Sequence, residues 1–224
     1  MVIRMEKDNR DIENLRTWNK VASLYAEKMM NLPIYEESYK LFCELLNDPE
    51  ARILDIGCGP GVISAYLHQQ CPTYQLSGID FSAEMISQAQ SHLPQGHFQV
   101  MDCRQMNFEA ASFDGVVSGF CIPYLDPIEL ENFFKDIAGM MREGGALYVS
   151  FVEGDAEASG YITGSTGDRT YFFHHDLNRI NQLTESIGFK QIRTLKIEYL
   201  KANQEVQWHT VLILKKQTGG HDAR

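Results

Sequence analysis

Asp55, Gly57, Gly59 and Gly61 stand at alternate positions in the stretch Ile53–Gly61, ILDIGCGPG, and carry the clearest chemical signal in this chain. A glycine-rich turn between a strand and a helix lets the backbone approach a ligand closely, because no Cβ intervenes. Open α/β sheets bind ligands at the carboxyl ends of their strands, so Gly57, Cys58, Gly59 and Gly61 read as the floor of a nucleotide-type pocket. A turn that merely closes a βα unit is the alternative. A dinucleotide site needs G-x-G-x-x-G, which seats a pyrophosphate on the helix N-terminus. Here the frame is G-x-G-x-G, and Val62 occupies the position of the third glycine. Pro60 removes a backbone donor from the turn, and Asp55 would repel a polyphosphate while attracting a cation. The pocket suits a positively charged nucleoside.

Further residues of the right type follow in order. Leu76–Asp80 is a second short apolar run ending in a carboxylate, and an acid at the end of a second strand suits hydrogen bonds to both ribose hydroxyls. Asp80 could instead cap the next helix, but Ser82 is the better cap, with Glu84 in the positive first turn, which leaves Asp80 to the ligand. Phe81 and Met85 are placed to pack on a ring or to serve as core. Phe98–Val100 is a third strand candidate, followed by Asp102 and Cys103. Phe113–Phe120 is a fourth and opens into Cys121–Leu125, with Gly119 and Phe120 at its end.

An acid followed by G-x-G-x-G after the first strand resembles the first motif of the class I S-adenosylmethionine-dependent methyltransferases, and the resemblance runs from about Asn19 to Leu214. It implies S-adenosylmethionine as cofactor and S-adenosylhomocysteine as product. It also implies that Asp102 and the Cys103 N–H meet the adenine and that Gly119–Tyr124 border the methyl group. N-terminal helices in that family cover the cofactor, which makes Tyr25 a lid residue, or else a helix-packing one. Tyr124 is open between substrate pocket and core. The motif Cys121-Ile122-Pro123-Tyr124 keeps only the last proline and the aromatic of the pattern used to methylate exocyclic amines of nucleic acids, so that chemistry is not expected.

If the acceptor arrives protonated, a general base is needed. Histidine as a residue type titrates near neutral pH, and His174 and His175 lie where the family takes up its substrate. Adjacent histidines at a helix start also serve as caps or surface residues. Tyr161 and Tyr171 are candidate pocket walls. The other histidines are scattered without ligand spacing, so no metal is expected.

These residues must be positioned by alternating strand and helix signals between Arg52 and Val152, which argue for parallel βαβ units. The expected fold is a Rossmann-like, doubly wound, mostly parallel sheet of seven strands with an antiparallel C-terminal strand and helices on both faces. Asp11–Leu46 has helical periodicity broken at Pro33, with a second helix over 34–46. Gly154–Asp168 reads as a mobile loop and Met140–Gly145 as a helix C-cap leading into an apolar strand. A helix then ends near Gly188. Phe189–Lys201 and Glu205–Lys215 form a hairpin, and 217–224 reads as a disordered tail. The domain organisation is a single unit over 1–216: a helical cap over 1–48, a cofactor-binding core over 52–152, and a substrate loop, helix and hairpin over 153–216.

The chain has 224 residues and a net charge of −10, a field that opposes nucleic acid and anionic membranes as partners. Five separated cysteines read as reduced thiols of a cytoplasmic protein. Met1–Arg10 is charged, so no secretory leader is expected, and no apolar run approaches a membrane span. The expected partner is a small-molecule methyl acceptor, in a monomer or homodimer. A protein acceptor and a non-catalytic S-adenosylmethionine-binding regulator are the alternatives.

Overall fold

The computed structural model describes residues 2–201 and 203–218, with side chains from residue 9 onward. The helix α1 (Val2–Met29) is followed by a 3-10 turn over Pro33–Tyr35 and α2 (Glu36–Cys43). Strand and helix then alternate through β1 (Arg52–Ile56), α3 (Val62–Gln70), β2 (Gln75–Asp80), α4 (Ala83–His92), β3 (His97–Val100) and β4 (Phe113–Gly119). Next come α5 (Pro127–Met140), β5 (Met141–Phe151), β6 (Gly160–Thr163), β7 (Arg169–Phe172), α6 (Leu177–Ser186), β8 (Phe189–Leu200) and β9 (Val206–Lys216).

The main sheet has the order β3-β2-β1-β4-β5-β9-β8. Pairings among β3, β2, β1, β4 and β5 are parallel, and β9 runs antiparallel to both its neighbours. The strand order reverses between β1 and β4, which opens a crevice at their carboxyl ends. Both faces of the sheet are covered, so β1 and β5 read as apolar runs rather than alternating ones. On one face Phe133, Phe134 and Ile137 of α5 pack with Ile180 of α6 against Leu54, Val116 and Leu147. On the other, Phe42 of α2 and Leu67 of α3 pack with Ile53, Val117 and Tyr148.

Local chemistry sets the helix starts. Ser82 caps α4 by accepting from the Met85 N–H at 3.1 Å. Asp126 and Glu129 form a reciprocal capping box at the head of α5, with Pro127 at its first position.

The structure corrects several expectations. Within the segment 154–168, residues 160–163 form β6, paired antiparallel with β7 as a separate two-stranded ribbon. The small polar residues there supply a turn, Gly164–Asp168, rather than a loop throughout. α5 ends at Met140, and Gly144 and Gly145 lie inside the start of β5, not in a helix cap. Gly145 is required because a Cβ there would stand 2.9 Å from the carbonyl oxygens of Arg142 and Asp114. The second helix is shorter than the expected 34–46. Of the tail, residues 219–224 lie outside the described residues, while the Gln217 N–H donates to the Gly188 carbonyl at 2.8 Å.

The ribbon matters because it carries α1. Asn14 bonds the backbone of Tyr171 in both directions, accepting from its N–H at 2.7 Å and donating to its carbonyl at 3.4 Å. Thr17 donates to the Arg169 carbonyl, and Lys20 and Glu13 pair with Asp168 and Arg169. α1 and β6–β7 thereby form one cover across the strand ends.

Candidate functional site

A cleft of about 820 Å³, counted to its open mouth, lies at the carboxyl ends of β1, β2 and β4 beneath α1. That is within the usual range for a small-molecule site. Gly57 and Gly59 form its floor, Asp80, Phe81 and Met85 one wall, and Asp102 and Cys103 the next. Gly119, Phe120 and Tyr124 close the far side, with Tyr25 above. A smaller inner lobe shares Tyr25, Gly57, Gly59 and Phe120 and adds Asp55 and Cys58. Most of the residues expected to hold a nucleoside therefore converge on one crevice.

Their roles differ in detail from the sequence reading. Gly59 has open space where a Cβ would stand, its nearest neighbour being the Tyr25 ring at 3.9 Å, and it faces the cleft at φ +52°. Gly61 does not line the cleft. It begins α3 at φ +84°, and a Cβ there would meet the Cα and Cβ of Ala89 at 3.3 Å, so it serves the packing of α3 on α4. Gly57 lines the floor, but a Cβ there would also strike Cys121 at 2.8 Å.

Asp80 is not left to the ligand alone. One of its oxygens accepts from the Gly59 N–H and the other from the Ser82 N–H, each at 2.9 Å. It pins the glycine turn to the head of α4 and lines the cleft. Burial pushes its carboxyl up to about 6, partly offset by those two N–H donors. Asp55 is deeper. The Ser64 hydroxyl donates to Oδ2 at 2.7 Å, while Oδ1 is buried with no partner, and burial pushes this carboxyl up to about 7. A buried unpaired carboxylate oxygen is costly unless a donor or cation completes it.

Asp102 is gripped by Arg104, whose Nε and terminal nitrogen reach both carboxylate oxygens at 2.6–3.0 Å. The other terminal nitrogen of Arg104 meets Asp11 at 2.5 Å and Glu129 at 3.4 Å. The Cys103 and Cys121 sulfurs touch at 3.6 Å in the cleft wall. Burial pushes the Cys58 thiol up, and the contact with Cys121 together with burial does the same for Cys103, so neither is a ready nucleophile.

Neither histidine of the expected base pair lines the cleft. His175 is buried, with Nε2 held by the Ile122 carbonyl at 2.9 Å and its pKa lowered by burial. His174 packs on Phe172 and lies over Gly154. Tyr161 and Tyr171 also lie outside the lining. They pack edge-on against each other, with Arg169 over Tyr161 inside the ribbon and Arg10 of α1 over Tyr171 fastening the ribbon to α1. Tyr25 and Tyr124 do line it, and Trp18 packs edge-on against both, with centroids at 5.1 and 5.9 Å.

Asp11, Asn14, Trp18 and Arg104 line the cleft without having been singled out. The first three share with Tyr25 the spacing i, i+3, i+7, i+14, one face of a helix. Polar residues on that otherwise apolar stripe were the available signal. Arg104 left none, because its place in the wall is fixed by Asp11, 93 positions away, as well as by its neighbour Asp102.

Residues 53–145 match the model of a family described as a methyltransferase domain. The malonyl-[acyl-carrier protein] O-methyltransferase of Enterobacter lignolyticus is 31% identical over 107 residues, 47% of this chain and 41% of that protein. The trans-aconitate 2-methyltransferase of Escherichia coli is 36% identical over 98 residues, 43% of this chain and 37% of that protein. The aligned stretch thus covers about two fifths of each relative. Among solved structures, the 1,6-didemethyltoxoflavin-N1-methyltransferase of Burkholderia thailandensis superposes with a TM-score of 0.71 at 15% identity, over 94% of this chain and 90% of that one.

Proposed function

We propose, on the premise that residues 53–145 match the model of the methyltransferase domain family, that the protein is an S-adenosylmethionine-dependent methyltransferase of a small-molecule acceptor. The observation that carries the reading is the buried, unpartnered Oδ1 of Asp55 below the open face of Gly59. A cationic amino-acid moiety would complete the first, and only a glycine lets it approach across the second. The residues present fit the cofactor: Asp55 and the Gly57–Gly59 backbone for its methionine end, Asp80 for the ribose, and Phe81, Met85, Asp102 and the Cys103 N–H for the adenine. When bound, the cofactor supplies a methyl group already activated on a sulfonium.

The protein's own work is then to align and to dry. Asp80 fixes the glycine turn through Gly59 and Ser82. Trp18, Tyr25 and Tyr124 form an aromatic roof that excludes water and holds a flat acceptor beside Gly119 and Phe120. Holding reactants at near-attack distance, roughly 3–3.5 Å, removes several kcal/mol of barrier. The acceptors named for the relatives, a malonyl group on a carrier protein, trans-aconitate and a didemethyltoxoflavin, support the small-molecule class.

Thermal unfolding with S-adenosylmethionine, S-adenosylhomocysteine and NAD in parallel tests the reading. At a hundred times its dissociation constant a ligand adds about 2.7 kcal/mol, a shift of roughly 5–10 °C for a chain of this size. Stabilisation by the two sulfur nucleosides alone is expected. A response to NAD alone, or to none of the three, refutes it. Release of S-adenosylhomocysteine with an acceptor then separates a catalyst from a binding-only protein.

A further inference from the structure

The electrostatics of the cleft restrict what can stand beside the methyl group. Three carboxylates line it, Asp11, Asp80 and Asp102, against one guanidinium, Arg104. That guanidinium is engaged on every side by Asp102, Asp11 and Glu129, so it is not offered to an anion. Among the described lining residues no second cationic side chain is available, so an acceptor carboxylate or phenolate beside the methyl group would have neutral donors alone. A buried anion without a partner is strongly disfavoured.

Among the described lining residues none is set to remove a proton from the acceptor. His174 and His175 lie outside the lining. Each oxygen of Asp80 already accepts a backbone N–H, Asp102 is chelated by Arg104, and Asp11 is paired with the same guanidinium. Burial pushes the Tyr25 hydroxyl up to about 12 and that of Tyr124 higher still, so neither ionises near neutrality. The roof, by contrast, favours positive charge: an aromatic face within about 6 Å of a cation contributes roughly 0.5–2 kcal/mol.

Resting on the methyl-transfer reading above, we infer that the acceptor is a flat, uncharged nitrogen nucleophile, an amine or a nitrogen heterocycle, that becomes a cation on methylation. The nitrogen lone pair forms the new N–C bond while the S–C bond breaks, its electron pair staying on sulfur. Positive charge passes from sulfur to nitrogen, and no proton has to leave beforehand. Carboxylate acceptors would demand the free cation that Arg104 does not supply.

The test uses three flat two-ring probes that differ in charge: isoquinoline, N-methylisoquinolinium and 2-naphthoate. The chain has two tryptophans, and Trp208 is exposed, so the variant Trp208→Phe leaves Trp18 as the reporter of the cleft. With saturating S-adenosylhomocysteine at pH 7.5, isoquinoline and its N-methyl cation should quench Trp18 saturably, each binding at least tenfold more tightly than 2-naphthoate. Asp11→Asn, which removes a partner from Arg104, should tighten 2-naphthoate several-fold. Equal or tighter binding of 2-naphthoate to the parent, or no saturable quenching by either nitrogen probe, overturns the inference. Failure of S-adenosylhomocysteine itself to stabilise the protein overturns the methyl-transfer reading, and the acceptor inference with it.

Discussion

Cofactor affinity should rise with pH because two buried carboxylates must give up protons, Asp55 to receive a cation and Asp80 to accept from the ribose hydroxyls. Asp55 is pushed up to about 7 and Asp80 to about 6, both chiefly by burial. If only the ionised forms bind, the apparent dissociation constant scales with (1 + 10^(pKa − pH)) for each group. Between pH 8 and pH 6 Asp55 contributes about tenfold and Asp80 about twofold, together about 20-fold or ~1.8 kcal/mol at 1.36 kcal/mol per pH unit. Titration calorimetry of S-adenosylmethionine at pH 6, 7 and 8 measures this directly. The comparison is made with Asp55→Asn, in which only the twofold Asp80 contribution should persist. The ligand's amino group titrates identically against both proteins, so their difference isolates Asp55. A parental change below twofold, or the same slope in both proteins, refutes the reasoning. The ligand-free protein should run the other way. A carboxylate whose folded pKa is raised stabilises the fold below its unfolded value, and that stability is lost as pH rises from about 4 to 7.

Two further outcomes follow from packing. Gly61→Ala places a Cβ in the left-handed region against Ala89, so it should cost about 1–2 kcal/mol, read as a lowered urea midpoint with unchanged slope; an unchanged midpoint would show that α3 and α4 do not need this contact. Tyr35→Phe removes the 2.6 Å partner of the buried His209 Nδ1 and should destabilise by about 1–3 kcal/mol, again by denaturant titration. His209 is held neutral by burial, its pKa lowered to about 4, so the loss should be the same at pH 6 and pH 8.

The tyrosine–histidine pair also illustrates what local sequence could not supply. Tyr35 and His209 lie 174 positions apart, and His209 looked like one of several scattered histidines until β9 settled between β5 and β8. Expectation and outcome also part at the ribbon. Tyr161, Tyr171, His174 and His175 have the chemistry of a pocket and sit in the expected segment. They are turned to fastening and core because β6–β7 packs on α1 and because His175 reaches the Ile122 carbonyl.

By itself the sequence determined the sheet's parallel half, its antiparallel close, and the residues of the cleft that stand at successive strand ends. Those elements are specified locally. A strand is read from its apolar run, a turn from its glycines and a cap from Ser82, and the order of βα units carries Asp55, Asp80 and Asp102 to neighbouring positions without further information. Only the tertiary structure decided which atoms of those residues remain available, that Gly61 packs against Ala89 outside the cleft lining, and that both oxygens of Asp80 accept backbone donors. It alone brought Asp11, Asn14 and Trp18 over the cleft and surrounded Arg104 with carboxylates. The physical reason is that hydrogen bonding, burial and charge balance are set by neighbours in space, and α1 finds its neighbours some 60 to 170 residues along the chain.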